Sequence, residues 1–162
     1  MPRLFFKKKY TIKDLWRRGD HLIKKGKNEE AEKILLSAAL SSSPLDRHYA
    51  YLRLIRLYRS ILAEQPGKID SLVEICLKDI ELFPEFCEAW LLEYMNNVPT
   101  PYFPSFSVLA EIYEKRGKTG EAIALCELAL GYGLTETLGE DYHTRLERLL
   151  EKQNTVTGHE LS

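Results

Sequence analysis

The stretch LAEIYEKRGKTGEAIALCELA, residues 109–129, decides the fold class. Its apolar and small residues fall at Leu109, Ala110 and Tyr113, then at Ala122, Ile123, Cys126 and Ala129. That is helical spacing on both sides of Gly117, with no alternating run that would suit a strand. A glycine between two such runs turns the chain, because it adopts left-handed backbone at no steric cost. The stretch therefore predicts two helices folded back on each other, with alanines letting them approach closely.

The same grammar occurs once more. Leu15, Gly19, Leu22, Gly26, Ala31, Leu35 and Ala38 repeat the spacing of Phe106, Ala110, Tyr113, Gly117, Ala122, Cys126 and Ala129. Composition agrees, because Leu occurs 26 times and Val only 4 times in 162 residues, which favours helix over sheet. With 44% hydrophobic residues the chain can form a core. Its length suits one domain. No apolar window reaches the roughly 18 residues of a membrane span.

Between these hairpins, proline and glycine divide the chain into segments of helical length. Eight helices are expected: 12–25, 28–42, 45–64, 69–83, 84–96, 105–116, 118–130 and 140–152. Thr11 and Asn28 are candidate caps. Pro84 is expected to open the fifth segment. Arg145, Arg148 and Lys152 suit the solvent side of a last, capping helix. Residues 1–10 form a basic arm ahead of a helical domain spanning 11–152, and 153–162 are expected to be a flexible tail.

This grammar resembles the tetratricopeptide repeat, a 34-residue helix–turn–helix unit. Residues 12–44 and 103–134 are similar to two such repeats, and 51–84 to a divergent third. In the third, Tyr58 stands where a small residue is expected, and Gln65-Pro66-Gly67 lengthens the turn. Segment 84–96 is left without a pairing helix. Ala31 and Ala122 lie 91 residues apart, which is not a multiple of the repeat length. The resemblance implies an all-α, right-handed array of helical hairpins with a concave binding groove.

The groove positions it implies are Lys13, Trp16, Arg17, Asp20 and Lys24 in the first repeat. The divergent repeat adds Leu52, Ile55, Arg56 and Arg59, and the last repeat adds Ser107, Val108, Glu111 and Glu114. Some family members hold a terminal carboxylate with a lysine and an asparagine four residues apart. Those places here carry Trp16 with Asp20 and Ser107 with Glu111, so that clamp is absent.

Nothing in the sequence points to catalysis. Gly117-Lys118-Thr119 echoes a phosphate-binding loop, but position 112 is Ile where that motif needs glycine, and the tripeptide joins two helices. No HExxH or GxSxG occurs. His21, His48, His143 and His159 are expected at the surface. The odd count and wide spacing of Cys76, Cys87 and Cys126 fit neither zinc sites nor disulfides. They suit a reducing cytoplasm, and the N-terminus has no apolar run of signal-peptide length. No cofactor or metal is expected.

Residues 1–65 carry a net charge of +8 and residues 66–162 a net charge of −9. The expected function is a protein-interaction scaffold whose basic first half favours an acidic or phosphorylated segment of a partner. Two alternatives use the same charges: a nucleic-acid-binding helical repeat, and a subunit that stacks its basic end on the acidic end of a neighbour.

Overall fold

Small residues set the packing of the first hairpin. Gly19 lies so close to Leu35 that an added Cβ would stand 2.6 Å from that side chain. Ala31, Leu35 and Ala38 opposite are fully buried. The turn glycines Gly26 and Gly117 have φ of 72° and 73°, left-handed values that cost other L-residues about 1–2 kcal/mol.

The computed structural model describes residues 12–159, with side chains for 14–156. The described residues are all-α. Helices α1 (Ile12–Lys24), α2 (Asn28–Ala38) and α3 (Pro44–Ile61) come first; a short 3-10 turn (Pro66–Lys68) leads into α4 (Ile69–Tyr94). Then follow α5 (Pro104–Lys115), α6 (Thr119–Gly131) and α7 (Tyr142–His159). Each helix packs on the next, and α3 also touches α1 on one side and α5 on the other. The odd helices α1, α3 and α5 thus form one row. The basic arm 1–10 and the Thr11 cap lie outside the described residues.

Besides end shifts such as α2 stopping at Ala38 rather than at 42, two differences from the sequence expectation stand out. Segments 69–83 and 84–96 are one helix of 26 residues, with Pro84 inside it, so the described residues form seven α-helices rather than the eight expected. An internal proline lacks an N–H and costs about 3 kcal/mol. Against this, Leu82, Phe83, Phe86 and Trp90 are all buried around the break while Pro84 itself faces solvent. Burial of one such side chain contributes about 1.5–3 kcal/mol, so packing on both sides of Pro84 outweighs the missing bond. The second difference is at the C-terminus, where Gln153–His159 continue α7 instead of forming a tail. No proline interrupts that run, and the Thr155 hydroxyl folds back onto the carbonyls of Glu151 and Lys152.

The α3 helix is capped by Ser43, whose hydroxyl accepts from the Asp46 N–H at 3.4 Å, with Pro44 in the first turn. At α2 the expected Asn28 cap is already helical, and the N-cap position is Lys27, without a side-chain cap bond. The divergence at Tyr58 has a packing reason. Its ring is buried, and its hydroxyl reaches across to donate to Glu32 of α2 at 2.8 Å. Lys68 donates to both oxygens of the same carboxylate.

His48 corrects the expectation of four surface histidines. It is fully buried, with Nδ1 2.8 Å from Asp79 of α4. Its ring stacks on Phe103, with centroids 3.8 Å apart, and meets the edge of Phe86 at 4.9 Å. Phe83 closes the box, 4.8 Å from Phe103. The polar face of α3 that the sequence suggests at this point is in fact covered by α4 and by the joint before α5. Cys76 and Cys126 are fully buried in the core.

The continuity of α4 has a measurable consequence. Pro84→Ala restores a missing backbone bond in a continuous helix and is expected to raise unfolding stability by about 1–2 kcal/mol, net of the flexibility it returns to the unfolded chain. Thermal and urea unfolding followed by helical circular dichroism would measure it. A neutral or destabilising change would mean that Pro84 opens a separate helix.

Candidate functional site

The row of odd helices leaves a groove between α3 and α5. From α3 it is lined by Leu52, Ile55, Arg56 and Arg59, and from α5 by Pro104, Ser107, Val108 and Glu111. Both sets follow the i, i+3, i+4, i+7 spacing of one helix face. The cavity between them is about 210 Å³. Tyr102, the Glu136–Gly139 loop and Arg145 of α7 close one end. At the other end the groove continues over Leu62, Ile69, Leu72 and Ile112, with Lys115 and Arg116 on the rim.

The floor is apolar and the charges stand around it. Glu136 is buried and held in place: the Tyr102 hydroxyl donates to both its oxygens and the Leu138 N–H to one, all at 2.9 Å. Burial pushes its carboxyl up, but hydrogen bonds from Ser107, the Leu138 amide, Tyr102 and the Thr137 amide together hold it below the ordinary range. Glu111 is also held low, first by the Lys115 ammonium that donates to it at 2.7 Å. Arg145 is only 8% exposed and lies 3.4 Å from Glu140 and 4.0 Å from Glu114. Arg116 pairs with Asp70 at 3.1 Å. Arg56 and Arg59 differ from all of these. They are exposed, and neither makes a hydrogen bond or ion pair among the described residues.

Basic charge collects on α1 and α3, while α2, α4, α5 and α6 are each net acidic. The α1 and α3 sequences carry four Lys/Arg each, against two acids and one acid. On the even helices, α4 carries seven acids and a single lysine, α2 three acids and one lysine, and α6 two acids and no base. A groove walled by α3 therefore presents positive charge, and the opposite row presents negative charge.

The candidate site residues divide into two groups. Arg56, Arg59 and Glu111 meet in the α3–α5 groove, together with Leu52, Ile55, Ser107 and Val108, and Glu114 lines its continuation toward α7. The α1 candidates do not join them. Trp16 is half-buried against α3, 5.9 Å from the Tyr49 ring and with the Arg53 guanidinium 4.1 Å above its own ring. Asp20 accepts from Arg53 Nε at 2.8 Å, so its carboxylate serves the α1–α3 seam. Arg17 is exposed, 5.5 Å from the Trp16 ring. Lys24 is exposed in the last turn of α1, and the Lys13 side chain lies outside the described residues. Tyr102, Glu136, Leu138 and Arg145 are groove residues that sequence periodicity did not reveal. Three of them sit in connections, where no helical face exists to be read.

Among the described residues, no group of three or more His, Cys, Asp or Glu is placed to hold a metal. No helix there is long and apolar enough to cross a membrane.

Comparison with known proteins adds one relative. The chain is 26% identical over 113 residues to an uncharacterized protein of Aquifex aeolicus (strain VF5), a match that covers 70% of this chain and 51% of that protein. The matched region thus spans about half the length of that relative. No family model matches the chain, and no solved structure matches it significantly.

The closed end of the groove depends on α7, which Arg148 ties down by donating to Glu114 of α5 and to Glu140. The Arg148 guanidinium holds both carboxyls below the ordinary glutamate value of 4.5. A carboxyl depressed in the folded state contributes stability that is present above its unfolded value and lost as pH falls through its folded value. The tie is therefore expected to hold near neutral pH and to weaken as pH drops below about 4.5. Arg148→Gln should lower the melting temperature at pH 7 and flatten its decline between pH 5 and pH 3. A decline as steep as that of the unaltered chain would show that the tie contributes nothing.

Proposed function

We propose that the chain is a non-catalytic protein-interaction scaffold of tetratricopeptide-like architecture, holding a peptide or helix of a partner protein in the α3–α5 groove. The reading takes the hairpins as a right-handed array and α7 as its cap. The single observation that carries it is the pair Arg56 and Arg59, two exposed cations that make no hydrogen bond or ion pair among the described residues, over an apolar floor. The other charged groups lining that cavity, Glu111, Glu136 and Arg145, already have protein partners. Three residues apart on α3, the two arginines repel each other weakly in the free chain. An acidic segment would relieve that repulsion and form charge-assisted hydrogen bonds.

The apolar floor adds an anchor that a purely ionic site would lack. Leu52, Ile55 and Val108 would cover an aliphatic or aromatic side chain beside the acidic one, the arrangement common at interface centres. A nucleic acid is the less suited ligand, because base stacking needs exposed aromatic platforms and Tyr102, the one ring lining the cavity among the described residues, is turned to Glu136. A cytoplasmic setting belongs to the same reading, since Cys76, Cys87 and Cys126 are free thiols.

Capture of partners from nuclease-treated lysate, with the unaltered chain and with an Arg56→Ala/Arg59→Ala variant, tests this. Both side chains are exposed, so the variant should keep its helical spectrum and lose less than about 0.5 kcal/mol of stability. Its affinity for the captured protein should fall by roughly tenfold or more and become less sensitive to salt. Unchanged affinity in a folded variant would remove these arginines from the site, and capture that vanishes with nuclease would favour nucleic acid.

A further inference from the structure

Among the described residues, one side of the last two turns of α4 is uncovered. Helix α4 is 26 residues long against 18 for α3. The pair Arg47–Glu85, at 2.6 Å, marks where the first turns of α3 lie alongside it. Beyond that point one side of α4 is packed: Trp90 is buried against Phe86 and Tyr94, and its indole N–H donates to the Val98 carbonyl at 3.1 Å. The other side is open, with Leu91 47%, Leu92 84% and Met95 75% exposed. Single exposed leucines are ordinary, but a contiguous apolar patch at one helix end marks an interaction surface.

The charge next to that patch is the complement of the groove. Glu88 lies four residues, one helical turn, before Leu92, and it makes no hydrogen bond or ion pair among the described residues. On α3, Arg56 and Arg59 lie one turn after Leu52 and Ile55. On α4 an exposed apolar patch, and on α3 half-buried Leu52 with Ile55 at the buried base of the groove, therefore lie about 5–6 Å from a charge that makes no ion pair among the described residues. The order runs apolar to basic toward the C-terminus of α3, and apolar to acidic toward the N-terminus of α4. Laid antiparallel, the two helices match apolar with apolar and Glu88 with the two arginines. Leu138, 81% exposed at the groove's edge, would be covered in the same step.

We infer that the α3–α5 groove of one copy receives the exposed C-terminal end of α4, centred on Glu88, Leu92 and Met95, from a second copy. The assignment rests on the groove being a binding face, as proposed above, and names its occupant. Donor and acceptor surfaces are different parts of the chain, so the contact is heterologous. It closes into a symmetric assembly if the rotation allows and otherwise extends into a chain of subunits.

Sedimentation and light scattering across a concentration series test it with the protein alone. The average mass should rise above the single-chain 18.8 kDa with concentration, and fall back in high salt. Arg56→Glu/Arg59→Glu and Glu88→Arg should each weaken self-association by about tenfold or more while keeping the helical spectrum. Mixing the two weakened variants should restore it, because each then offers the charge that the other's surface lacks. A mass that stays at one chain throughout would overturn the assignment, as would association that neither variant weakens or that mixing fails to restore. A single-chain mass combined with arginine-dependent capture of another protein would leave the groove as a binding face and remove only the second copy as its occupant.

Discussion

The aromatic box around His48 is the constraint on which the groove depends. Phe103 comes immediately before α5, and it stacks on an α3 histidine while touching Phe83 and Phe86 of α4. Three elements are thus fixed at one point, and the spacing between the α3 and α5 walls follows from it. The box contains a polar pair, His48 with Asp79, fully buried. Burying polar groups is costly unless they are paired; here His48 Nδ1 pairs with one Asp79 oxygen, while His48 Nε2 and the other oxygen have no partner among the described residues. A flat, stackable histidine in this place joins an aromatic cluster to a carboxylate on the neighbouring helix, which no aliphatic residue could do.

From that junction the groove acquires its character by simple helical geometry. One face of α3 gives two apolar residues and then two arginines, and one face of α5 gives a proline, a serine, a valine and a glutamate. Acids that would neutralise the arginines are mostly elsewhere, on α2, α4 and α6. The acids that do reach the groove have protein partners already: Glu111 has Lys115 and Glu136 has Tyr102. Among the charged residues lining the cavity, Glu111, Glu136 and Arg145 have partners, and Arg56 and Arg59 make no hydrogen bond or ion pair among the described residues.

Much of this is legible in the chain itself, for reasons that can be named. Helical spacing around Gly26 and Gly117 predicts both hairpins because small residues and turn glycines leave few other packings open. Leu52, Ile55, Arg56, Arg59, Ser107, Val108 and Glu111 follow from the tetratricopeptide resemblance, carried over residue by residue, whereas Pro104 does not. What could not be read depends on contacts distant in sequence. Pro84 looks like a helix start because local rules place proline in first turns, and only the buried Phe83, Phe86 and Trp90 make a continuous α4 worth its missing bond. His48 reads as a polar surface residue until Asp79 and Phe103 arrive from other elements. Trp16 looks available on α1, yet Arg53 and Tyr49 of α3 lie against it. Net charge by halves misses that the acidic α2 lies between the basic α1 and α3, which pack against each other.

The account turns on the α3–α5 groove being the face that receives an acidic, apolar-anchored segment. An amide chemical-shift map of the isotope-labelled chain, titrated with a short glutamate- and leucine-containing peptide, tests that most directly. Shifts concentrated at residues 52–59, 104–111 and 136–139, and absent from α2 and α6, are the predicted result. Shifts confined to the even helices or to the α1–α3 seam around Trp16, with the groove amides unmoved at saturation, would contradict it.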